Sequence, residues 1–153
     1  MNIQTNNILE IAINEVNSVN EKIKGINFLE ILKTNLIEKI APIIDDVNAS
    51  LDKIEQTENA IKTNTRNITI SIKFLSNPSI ITKKLIEHDT LFISFNGVSS
   101  FDIYENDKNF VNVLLYKNNG ISLPKSTTIN SKLNKNVLIM EIQNKDNEQI
   151  LTN

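Results

Sequence analysis

NITISIKF, residues 67–74, alternates without a break: Ile68, Ile70, Ile72 and Phe74 fall on one face, Thr69, Ser71 and Lys73 on the other. A period of two is that of a β-strand with one face buried. Downstream the same pattern returns in SIITKKLI, LFISF, SSFDIYE, FVNVLLY, GISLP, TTINSKL and VLIMEIQ. Turn signals separate these runs: Asn77-Pro78, Asn96-Gly97, Asn106-Asp107, Asn118-Asn119-Gly120 and Asn134-Lys135-Asn136. About eight short strands at such spacing predict an antiparallel sandwich or barrel. Asn96-Gly97, between LFISF and the run containing Phe101, carries the strongest hairpin signal.

Upstream the period is helical. Ala12, Val16, Val19, Ile23 and Ile26 step by four and three, and Leu36, Ile40, Ile43, Val47, Leu51, Ile54 and Ile61 continue in a new phase. A turn is expected near Lys24-Gly25, and Pro42 should end or kink the second segment because it lacks an interior donor. A single helix from Phe28 to Lys62 would be about 50 Å long. In the register with Ile40, Val47, Ile54 and Ile61 at the a positions, Ser50 and Thr57 fall at d, which weakens a coiled-coil seam. Two uses remain open: packing on the β half, or bundling with copies from other chains. The expected organisation is a helical extension over 1–66, a β-barrel over 67–144 and a polar tail over 145–153. That is a segregated α+β architecture.

Composition excludes several functions. The 153 residues carry a net charge of −2 and no cysteine, so neither a disulfide framework nor a thiolate site exists. Acids number ten against seven bases over 1–66 and eight against nine over 67–153, with Arg66 as the only arginine. Nucleic-acid binding needs a clustered basic face, so no nucleic-acid partner is expected. No apolar run approaches the roughly 18 residues of a membrane span, and the N-terminus lacks a basic n-region, so no membrane partner is expected. The expected location is cytoplasmic, or a virion if the chain is phage-encoded. Asparagine, isoleucine and lysine make up over two fifths of the chain, so pattern carries more information than residue type.

Chemistry-bearing residues are sparse. Asp45-Asp46 and Asp102, Glu105 and Asp107 are the acidic groupings, and the second has no glycine for a calcium loop, so it reads as a hairpin tip. Lys83 and Lys84 beside Glu87 read as guards on a strand edge. His88 is the only histidine. It is the single candidate for a catalytic base, with Tyr104, Glu87 or Asp89 as possible helpers. Phe92, Phe101 and Tyr104 are candidate ligand-contacting residues at a barrel interior or mouth.

At EHDTLFISFNG (87–97), with SSFDIYEND (99–107) and GISLPKSTTIN (120–130), the chain resembles the cupin superfamily, including sugar-nucleotide ketoisomerase-type barrels. The resemblance covers roughly residues 79–143 and implies a cupin-like jelly roll. Anchoring the first cupin motif on Gly97 puts its glutamate at Thr90 and its ligand histidines near Lys83 and Leu85. Gly120, Pro124 and Ser126 match the frame of the second motif, whose histidine falls at Ile129. Every metal-ligand position is thus replaced, and the resemblance implies a barrel with no metal and no other cofactor. Three functions are consistent with it: a non-enzymatic oligomeric structural or interaction protein, assembled through the helical segment; a metal-free barrel for a small molecule or carbohydrate; and a metal-independent sugar isomerase using His88. A helical stalk leading into a β head also suits a virion attachment or decoration protein.

Overall fold

The computed structural model describes residues 3–23, 25–46, 58–65, 67–75 and 77–145. Two helices come first, α1 (Ile3–Asn20) and α2 (Ile26–Ile40). Gly25, at φ 78°, turns the chain between them. Pro42 sits in the 3₁₀ turn Ala41–Ile43 that ends α2, where its missing N–H costs nothing.

Among the described residues nine strands follow: β1 (Glu58–Thr65), β2 (Ile68–Leu75), β3 (Ser79–Leu85), β4 (Asp89–Asn96), β5 (Ser99–Tyr104), β6 (Phe110–Leu115), β7 (Gly120–Leu123), β8 (Thr128–Leu133) and β9 (Val137–Asn144). They form sheet A, in the order β1-β2-β9-β4-β7, and sheet B, in the order β3-β8-β5-β6. All pairings are antiparallel. Consecutive strands mostly alternate between the two sheets, which is the jelly-roll arrangement.

Two sequence expectations are corrected here. Helical spacing carries through Ile61, but residues 58–65 form β1, paired along its length with β2 from Glu58↔Leu75 to Thr65↔Ile68. A seven-residue step from Ile54 to Ile61 fits two helical turns and not a strand's period of two, so spacing misleads here and backbone pairing to β2 decides. Val47, Leu51 and Ile54 lie outside the described residues. The second correction concerns Asn96-Gly97. β4 belongs to sheet A and β5 to sheet B, so this dipeptide makes a corner between sheets rather than a hairpin. Gly97 adopts φ +80°, and a Cβ there would lie 2.9 Å from Val137 Cγ2. Asn96 Nδ2 donates to Asn136 O at 3.0 Å, tying the corner to the start of β9. The hairpins are β1–β2 and β5–β6.

The larger of two apolar clusters lies outside the barrel, between the helices and sheet A. Ile70, Ile72 and Phe74 of β2 face Ile142, Met140 and Leu138 of β9, and Leu91 and Ile93 of β4 extend the ladder. Onto it pack Ile8, Ala12 and Val16 of α1 and Phe28, Leu32 and Leu36 of α2, all fully buried. α1 lies over β1 and β2, and α2 over β4 and β7. The helical stripe therefore covers the chain's own sheet. The smaller cluster fills the space between the sheets with Phe92, Phe101, Ile129, Val137 and Ile139 among others. Among the described residues no helix is long and apolar enough to cross a membrane.

Leu36→Ala should lower stability by about 2–5 kcal/mol through the lost burial and the cavity left behind. A denaturant titration should show this as a lower midpoint at unchanged slope. Ile31→Ala, on the exposed side of α2, should stay within about 0.5 kcal/mol of the parent.

Candidate functional site

The barrel interior offers little room. The cavity between the sheets measures about 30 Å³ and is lined by Phe92, Phe101, Ile129 and Ile139, with Lys73, Lys84 and Glu141 also on its wall. That holds a water or two. Phe92 and Phe101 pack ring to ring at 5.2 Å.

The cupin frame positions do not converge on a metal. Leu85 is exposed, Ile129 is buried in the interior cluster, and Thr90 is buried with its hydroxyl donating to His88 O at 2.6 Å. Lys83 sits at a break in register on β3, with φ +51°, and it is Lys84 that pairs with Ile129 and lines the interior. Among the described residues no three His, Asp or Glu side chains come together. A divalent cation in such a barrel needs about three or four imidazole or carboxylate donors, so these residues do not fit one.

His88 occupies the bend between β3 and β4 and is half-buried. It is not among the side chains lining the interior cavity. Its neighbour Asp89 is buried and accepts the Lys125 N–H at 2.9 Å, joining the start of β4 to the turn before β8. Glu87 is exposed. Tyr104, expected at the interior or mouth, is on neither: it lies on the outer face of sheet B.

That outer face carries the densest polar array. β5 runs between β6 and β8, with Asp102 opposite Asn112 on one side and Asn130 on the other. Asn112 Nδ2 donates to Asp102 Oδ1 at 2.8 Å and to Ser100 Oγ at 2.9 Å. Asn130 Nδ2 donates to Asp102 Oδ2 at 3.0 Å and to the Tyr104 hydroxyl oxygen at 3.1 Å, while its Oδ1 accepts the Lys83 N–H at 2.9 Å. The Asn112 and Asn130 amides hold the Asp102 carboxyl below the usual carboxylate range, against a weaker opposing effect of desolvation.

Two open clefts adjoin this network. One, of about 310 Å³, is lined by Thr82, Ser100, Asp102, Asn112, Asn130 and Lys132 among others. The other, of about 380 Å³, is lined by Lys83, Tyr104, Glu105, Asp107, Ser126 and Thr128 among others. Lys83 Nζ stands 3.8 Å from the centre of the Tyr104 ring, whose other neighbour is Phe110 at 5.3 Å. Lys83 and Ser126 both hold positive φ, at 51° and 77°, and both line this second cleft. Left-handed backbone at such residues costs of order 1–3 kcal/mol each and persists only where surroundings enforce it. Here the Asn130 side chain and Ile86 O, 2.7 Å from Ser126 N, do so.

No protein-family sequence model matches the chain, and no curated protein sequence matches it. Solved structures do. A cupin superfamily protein from Desulfitobacterium hafniense is 13% identical over 64% of this chain and 86% of its own, with a TM-score of 0.49. Two variants of oxalate decarboxylase from Bacillus subtilis align with 60% of this chain at 8% and 9% identity, with TM-scores of 0.51 and 0.50. This chain spans about a quarter of that enzyme, 26% of its length. At such identities the likeness is one of fold. The protein has a cupin-like jelly-roll fold.

Two measurements check the site. After exhaustive dialysis the purified protein should carry well under one equivalent of zinc, iron, nickel or manganese; a stoichiometric metal would contradict the donor geometry. The Asp102 carboxyl should titrate below the ordinary carboxylate midpoint by carbon-detected NMR. Because its folded pKa is depressed, its contribution to stability is present at neutral pH and is lost as pH falls through that lower value. The Asn112→Ala and Asn130→Ala double variant should return the midpoint towards the ordinary value.

Proposed function

We propose that this protein is a non-enzymatic, metal-independent binding module that uses the outer face of sheet B to hold a polyhydroxylated ligand of the carbohydrate class. The observation that carries the reading is the Asp102 network. An ionised carboxylate has about four lone-pair sites, and the two amides occupy one on each oxygen. Asp102 lines an open cleft, where the remaining sites suit two neighbouring hydroxyl donors, with Ser100, Thr82 and Lys132 beside them. Holding the carboxylate in place beforehand lowers the entropic cost of binding. The exposed Phe110 ring beside Tyr104 offers an apolar surface for the C–H face of a sugar.

The interior does not compete for this role, since about 30 Å³ is far below the few hundred that a small-molecule site needs. An isomerase would need its base on a substrate-sized cavity, and His88 lines neither of the sheet B clefts. A virion attachment or decoration protein would use the same face and differ only in what carries it.

Oligosaccharides titrated into the full chain should shift amide resonances of Ser100, Asp102, Asn112 and Asn130, and Asp102→Ala should weaken binding at least tenfold. His88→Ala should leave affinity unchanged. Shifts confined to Phe92, Phe101 and Ile129, or affinity lost with His88, would reject the reading.

A further inference from the structure

Two of the chain's three glycines follow an asparagine, as Asn96-Gly97 and Asn119-Gly120. In such a dipeptide the asparagine amide is open to attack by its own chain, because a residue with no Cβ leaves the next backbone nitrogen uncrowded. The fold treats the two in opposite ways.

Asn96 is held. Its Nδ2 donates to Asn136 O at 3.0 Å, and the Ser94 hydroxyl lies 3.3 Å from Asn96 O and 3.1 Å from Gly97 O. Asn118 is held differently, since the N–H that would attack it, that of Asn119, donates to Tyr116 O at 3.0 Å.

Asn119 is exposed, and among the described residues its side chain makes no hydrogen bond. The Gly120 N–H is open as well. Asn118 N donates to Ser94 O at 2.7 Å and Ser94 N to Asn119 O at 2.9 Å, so Asn118 and Asn119 together face Ser94 as a bulge. Bonded and non-bonded pairs alternate along an antiparallel ladder, which makes the next pair, Ile93 and Gly120, one of the non-bonded kind. The Gly120 N–H therefore points away from β4. β7 ends its sheet, and among the described residues no strand lies on that side. Lys33 Cδ stands 2.6 Å from where a Cβ on Gly120 would lie, over the face of the sheet and out of the plane of its N–H groups.

We infer that Asn119 is a site of spontaneous modification, at which the folded chain converts its own asparagine to aspartate and isoaspartate. The Gly120 nitrogen bonds to Asn119 Cγ and gives up its proton, and Nδ2 leaves with that proton as ammonia, closing a succinimide. Water then opens the ring at either carbonyl. Breakage of the bond at Cγ yields aspartate, and breakage at the main-chain carbonyl yields isoaspartate. Either product puts a carboxylate where an amide stood, two residues from Lys117, and isoaspartate also adds a carbon to the backbone just ahead of β7. The dipeptide permits the reaction, and the fold selects which of the two undergoes it. At Asn96 a hydrogen bond must break first, which slows the reaction about tenfold. Nothing in this depends on what the Asp102 network binds.

The test incubates the full chain in mildly alkaline buffer and follows each asparagine by tryptic peptide mapping, with fragmentation that separates aspartate from isoaspartate. In the folded chain Asn119 should convert at least tenfold faster than Asn96 or Asn118. In denaturant the two Asn-Gly dipeptides should react at similar rates. Asn119→Gln should abolish the acidic species that ion-exchange chromatography resolves from the parent. An Asn119 that stays intact in the folded chain, or an Asn96 that keeps pace with it, would overturn the inference. So would an Asn119 that outpaces Asn96 by the same factor in denaturant, since the fold would then select nothing.

Discussion

Sheet A has an apolar outer face, and something must cover it. The ladder of Ile70, Ile72, Phe74, Leu91, Ile93, Met140 and Ile142 would lie in water if the β-strands stood alone, and burial of one such side chain is worth about 1.5–3 kcal/mol. α1 and α2 supply the cover, so the larger core of this protein is a helix–sheet layer outside the barrel rather than the space within it. A jelly roll of this size buries little surface between its own sheets, which makes the outer layer the main source of stability.

The consequences run through to the outer face of sheet B. With sheet A capped, the solvated surface of the sandwich is sheet B, and its outward positions are free to be polar. Ser100, Asp102 and Tyr104 alternate with Phe101 and Ile103, so a single strand builds both the interior and the outer network. The interior, closed by Phe92, Phe101 and Ile129, leaves a cavity of only about 30 Å³. The strain at Lys83 and Ser126 lies on the outer side as well, at the cleft beside Tyr104.

Much of the candidate site was hidden for a definite reason. Asp102 was visible only as part of an acidic hairpin tip, while Asn112 and Asn130 looked like two of many asparagines in an asparagine-rich chain. Their positions at alternate residues within strands hint at a shared outward face, but nothing local states that β5 lies between β6 and β8. Phe92 and Phe101, expected at the interior or mouth, lie in the interior cluster, whereas Tyr104, on the same strand but out of phase with Phe101, falls on the opposite face. His88 stood out for being unique, which is a property of composition rather than of geometry.

By itself the sequence determined most of the element types: helices ended by Gly25 and Pro42, and strands with one buried face. Those are local matters, governed by periodicity, backbone restriction and the identity of side chains. Tertiary structure alone decided that residues 58–65 pair as a strand, that Asn96-Gly97 turns a corner between sheets, and that Asp102 meets two amides from neighbouring strands. Each depends on which strands adjoin, and adjacency is set by the long-range burial of sheet A beneath its helices, an energy no short stretch of sequence contains.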